Sequence, residues 1–90
     1  MAKVTIYTKE GCPFSTRAIE MLEEKGISYD EISITGSAER RAEMMAASGG
    51  HRTTPQILID GEPLGGADDL EEADRAGRLA SMLLAPAPAP

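Results

Sequence analysis

A change in apolar period at Gly11-Cys12-Pro13 restricts the fold more than any other feature of the chain. Before it, Val4 and Ile6 alternate with Thr5 and Tyr7 between residues 3 and 8, the two-residue repeat of a strand. After it, Ala18, Ile19, Met21 and Leu22 fall at the three- and four-residue spacing of an amphipathic helix. Pro13 suits a first helical turn, and Lys25-Gly26 supplies a cationic end and a glycine cap. A strand feeding a helix must bury both against further chain. Ninety residues, 41% of them hydrophobic, provide for one domain and no second.

The rest of the chain continues the alternation. Ile27 to Ile34 predicts a second strand with an irregularity at Asp30-Glu31. Thr35-Gly36-Ser37 then turns into a helix capped by Ser37 and reaching Ser48. Gly49-Gly50 ends that helix and residues 51–54 form a polar loop. After Pro55, Gln56 to Ile59 is an apolar run suited to a buried strand. Asp60-Gly61 is a hairpin signal, so Glu62-Pro63-Leu64 should return antiparallel, and Pro63 puts this short strand at an edge. Gly65-Gly66 is a hinge. Asp68 with Glu71 resembles a capping box, and Leu70, Ala73, Ala80, Leu83 and Leu84 mark one face of a final helix. The order β-α-β-α-β-β-α predicts an α/β fold of thioredoxin-like architecture: a four-stranded mixed sheet flanked by three helices, occupying residues 1–84. APAPAP at 85–90 reads as an extended tail.

Composition removes several functions. A formal charge of -6 argues against phosphate-neutralising contacts, so nucleic acid is not an expected partner. The acids concentrated between Thr53 and Asp74, a stretch without Lys or Arg, read as a solvated face. One cysteine excludes an intrachain disulfide, and Cys12 with His51 cannot complete a four-ligand metal site. The first ten residues lack a signal peptide's apolar stretch and no run is long enough for a membrane span, so a cytoplasmic protein without membrane contact is expected. Met21, Met44, Met45 and Met82 read as core fillers, and His51 as a solvated loop residue.

Cys12 carries the chemistry. A cysteine between a strand and a helix N-terminus faces unpaired backbone N–H groups and the positive end of the helix dipole, which favour its thiolate. Lys9 and Arg17, nearby in sequence, should act in the same direction, which places the thiol among those of roughly pKa 3.5–7.5.

Ile6-Tyr7-Thr8-Lys9, Cys12-Pro13-Phe14-Ser15, Thr53-Thr54-Pro55-Gln56 and Gly65-Gly66-Ala67-Asp68-Asp69 together resemble the glutaredoxins, from residue 3 to residue 84. The site looks like a dithiol-type scaffold in which Ser15 stands where a second cysteine resolves the mixed disulfide. The resemblance implies a glutathione-disulfide oxidoreductase with Cys12 as nucleophile, deglutathionylating proteins or small mixed disulfides by a monothiol route. It implies Lys9, with Arg52 and Gln56, for the glycyl carboxylate of glutathione. It implies a cis Pro55 and backbone pairing of Thr54 with the cysteinyl unit. Phe14 would shield the sulfur. Gly66, Ala67 and Asp68 would hold the γ-glutamyl end, with the Asp68 carboxylate on its ammonium. A monomer is expected. Two alternatives go with the resemblance: a glutathione-ligated 2Fe-2S cluster bridging the Cys12 residues of two chains, or a dithiol enzyme whose resolving cysteine is replaced by Ser15.

Overall fold

The computed structural model describes residues 2–84, so the reading of 85–90 as a tail lies outside the described residues. Strand β1 (Val4–Thr8) is one of the two inner strands of a four-stranded sheet. Helix α1 (Pro13–Glu24) carries the chain across to β2 (Asp30–Ser33), which pairs parallel to β1. Helix α2 (Ala38–Ala47) leads to β3 (Gln56–Ile59), antiparallel to β1, and a hairpin returns as edge strand β4 (Glu62–Gly65). The mixed sheet, its flanking helices and the order of elements are those the apolar pattern predicts.

Alternation along the strands divides the core in two. Val4 and Ile6 of β1, with Ile57 and Ile59 of β3, face α1 and the C-terminal helices, where Ala18, Leu22, Leu70, Ala73 and Leu79 complete a cluster. Tyr7 and Leu58 point the other way, onto Met44 of α2 and Ile34. Of the four methionines read as core fillers, Met44 is fully buried, while Met21, Met45 and Met82 are partly so. Ser37 caps α2 as its position suggests, its hydroxyl accepting from the Arg40 N–H at 3.1 Å.

Three details depart from the pattern. Strand β2 begins at Asp30 rather than Ile27, because Ile27 and Tyr29 pack on the first cluster before the chain joins the ladder at Thr5↔Asp30. The final helix is divided into α3 (Ala67–Arg75) and α4 (Arg78–Leu84) by Gly77 at φ 74, a left-handed conformation that interrupts the helix and redirects it. Finally, α3 starts earlier than an Asp68 cap would require. Gly66 is the N-cap, and the Asp69 carboxylate accepts its N–H at 2.9 Å. Asp68 thereby becomes a residue of the first turn, with its side chain released from capping.

Candidate active site

Cys12 is the N-cap residue of α1, placed there by the tight turn in which its N–H donates to the Lys9 carbonyl at 3.2 Å. A second bond fixes that turn, from the Glu10 N–H to Thr35 Oγ1 at 2.8 Å. The sulfur lies 3.5 Å from the Thr54 carbonyl oxygen, at the start of the cis Thr54-Pro55 peptide that precedes β3. The strand-to-helix junction and the loop before β3, far apart in sequence, therefore meet at one sulfur.

Burial pushes the Cys12 thiol up, but the side chains of Ser15 and Thr54 and the backbone N–H groups of Ser15 and Phe14 act on the sulfur and outweigh it. The thiol pKa falls from 9.0 to about 7. Among the described residues, Ser15 Oγ is the buried side-chain polar atom without a formed hydrogen bond, so a charged sulfur is the acceptor this hydroxyl lacks. Arg17 is not among the causes. Helical residues advance by about 100° each, which carries Arg17 around α1 to an ion pair with Asp68 and Glu71 of α3.

Two clefts share Thr53 and Thr54, the latter being the residue whose carbonyl the sulfur meets. One, of about 560 Å³, runs between Phe14 and the start of α3, with Pro55, Gly66, Ala67 and Asp68 along it. The other, of about 450 Å³, contains Cys12 itself with Lys9, Arg41 and Arg52. The structure thus brings Lys9 and Arg52 together, while Gln56 lines the first cleft with its amide turned inward, donating to the Thr53 carbonyl at 2.9 Å. Along α3 the Gly66 N–H is taken by Asp69, and the N–H groups of Ala67 and Asp68 open the helix ahead of the first intrahelical bond, Leu70 N–H to the Gly66 carbonyl. Phe14 is 54% exposed, an aromatic ring standing at the rim beside Cys12.

Sequence reasoning missed Arg41 and gave His51 no place at the site. Arg41 follows from the Ser37 cap, which fixes the register of α2 and turns this residue toward the Cys12 loop. His51 lines the larger cleft from the loop after α2, which the Ser48 hydroxyl ties down by donating to the His51 carbonyl at 3.2 Å. Among the described residues no group of three or more His, Cys, Asp or Glu is arranged for a metal, so a 2Fe-2S cluster on this chain would take from it the single thiolate of Cys12 and the other ligands from a second chain and glutathione. No helix of the described residues is long and apolar enough to cross a membrane.

The chain matches the Glutaredoxin family over residues 4–64. Glutaredoxin 3 of Escherichia coli is 48% identical over 83 residues, which cover 92% of this chain and 99% of that relative. The solution structure of glutaredoxin from Brucella melitensis superposes with a TM-score of 0.80 at 43% identity, covering 92% of this chain and 89% of that one. A crystal structure of a buckwheat glutaredoxin–glutathione complex gives a TM-score of 0.80 at 26% identity, over 91% of this chain and 76% of the other.

Proposed function

Since the chain belongs to the glutaredoxin family of thiol–disulfide oxidoreductases, we propose that it reduces glutathione mixed disulfides through Cys12 by a monothiol route. The observation that carries this reading is the pair of clefts that share Thr53 and Thr54, with the Cys12 sulfur against the Thr54 carbonyl. Glutathione is an extended tripeptide with a carboxylate at each end and an ammonium at one. Its cysteinyl sulfur belongs beside Cys12, its backbone along Thr54, and its two ends in the two clefts. The cationic cleft of Lys9, Arg41 and Arg52 suits the glycyl carboxylate. The opening N–H groups of α3 suit the γ-glutamyl carboxylate, with Asp68 on the ammonium. The buckwheat relative solved with glutathione supports the same ligand here.

In the first step the Cys12 thiolate attacks the glutathione sulfur of a mixed disulfide. The S–S bond of the substrate breaks, a Cys12–glutathione disulfide forms, and the substrate thiolate leaves and takes a proton from solvent. In the second step the thiolate of another glutathione attacks the glutathione sulfur held on Cys12, giving glutathione disulfide and restoring the Cys12 thiolate. Ser15 has no thiol with which to intercept the intermediate, so its resolution is intermolecular. Ser15 instead acts as a donor to the leaving Cys12 sulfur, stabilising it as it regains charge.

The test is glutathione-dependent reduction of a glutathionylated peptide, with glutathione disulfide formation coupled to NADPH consumption. Saturable turnover that disappears in Cys12→Ser is expected. Absence of turnover in a protein whose Cys12 is still alkylated at neutral pH would overturn the reading.

A further inference from the structure

Arg17 is in the lining of neither cleft, whereas Asp68 lines the first. Its Nη1 reaches Asp68 Oδ1 at 3.2 Å, and its Nη2 is paired with Glu71. The Asp68 side chain is 86% exposed, and an exposed ion pair of this kind contributes little to stability. The arrangement has another use. Resting on the assignment of Asp68 to the γ-glutamyl ammonium, we propose that Arg17 is a positioning residue that aims the Asp68 carboxylate at the amine of glutathione.

The argument concerns order and charge. An exposed carboxylate in the first turn of a helix rotates freely, and that freedom is lost when a ligand ammonium docks. Arg17 holds Oδ1 and leaves Oδ2 for the ligand. Glu71, three residues beyond Asp68 on the same helical face, takes the other arm of the planar guanidinium. Arg17 is therefore anchored without occupying both oxygens of Asp68. The cluster of one guanidinium and two carboxylates also keeps one net negative charge, so the ammonium still meets an attractive field. Without Glu71 the guanidinium would neutralise Asp68 outright.

Two ligands test this, each carried as a mixed disulfide on the same peptide: glutathione and an analogue whose γ-glutamyl amine is replaced by hydrogen. Asp68→Asn should abolish the preference for the amine. Arg17→Met should raise the KM for the glutathionylated peptide by about two- to fivefold, with the loss in KM rather than kcat. It should leave the analogue unchanged and add nothing in the Asp68→Asn background, while Arg17→Lys restores part of the preference. A lower KM in Arg17→Met would identify the guanidinium as a competitor of the ligand and overturn the proposal. An equal rise for both ligands would make Arg17 merely structural and overturn it as well. If Asp68→Asn leaves the amine preference intact, the assignment of Asp68 fails and the proposal falls with it. If Asp68→Asn removes the preference but Arg17→Met does not alter it, the role of Arg17 alone fails.

Discussion

The acidity of Cys12 comes from hydroxyls and amides that converge on one sulfur, and the donors within its own helix are Ser15 and Phe14. With the thiol lowered from 9.0 to about 7, the thiolate fills as pH rises through about 7. The rate of iodoacetamide alkylation should climb through that pH and level off above it. Ser15→Ala removes a donor to the charged form, so its alkylation midpoint should move up; an unchanged midpoint would assign the acidity to Thr54 and the amides. Linkage has the matching sign. The ionised thiol favours the folded state fully above the ordinary value of 9.0, and that contribution is lost as pH falls through about 7. Phe14 gives a separate prediction, since truncating an exposed ring leaves stability within about 0.5 kcal/mol. Phe14→Ala should keep its melting temperature and raise the KM for the glutathionylated peptide in steady-state assays. The acidity of Cys12 was legible in the sequence from its place before Pro13. Its cause was legible only in part: the N–H groups at the helix start were read, but the Ser15 and Thr54 side chains were not, because they approach the sulfur only once the helical turn and the loop before β3 are in place. Proximity in sequence also pointed to Arg17, which the helical rotation carries away.

At the scale of elements, the start of α3 depends on a close approach at Gly65. Its φ is 125, and a side chain there would collide with the Asp69 carboxylate that caps Gly66. Gly65→Ala should therefore cost about 1–3 kcal/mol of stability in urea denaturation, from backbone strain together with loss of the cap. It should also weaken glutathione binding by displacing the N–H groups of Ala67 and Asp68. Strand β1, the start of α1 at Pro13, the Ser37 cap and the Asp60-Gly61 hairpin were all legible, because each is specified by residues adjacent in the chain. The break at Gly77 was not. Leu79 is 3% exposed and returns to the same cluster as Leu70 and Ala73, so the apolar rhythm continues across the interruption. The contact of Arg17 with Asp68 was hidden for a different reason, since it joins residues on two helices whose relative placement only the packed core determines.

Across the whole molecule, the net charge of -6 conceals a local reversal, since Lys9, Arg41 and Arg52 gather at one cleft while Asp68 and Asp69 line the other. A ligand with two carboxylates and one ammonium is attracted at both ends. Raising the ionic strength from about 0.01 M to 0.15 M shortens the screening length from about 30 Å to 8 Å. The KM for the glutathionylated peptide should rise over that range, and the rise should be smaller in Arg41→Gln; a salt-independent KM would remove the charged clefts from recognition. A sheet open at both sides is also a template on which identical chains could stack into fibrils. Here β4 carries Pro63, which has no N–H to offer a neighbour, and β2 is four residues long with Asp30 and Glu31 exposed on it. These borders discourage strand-by-strand growth between copies of the chain.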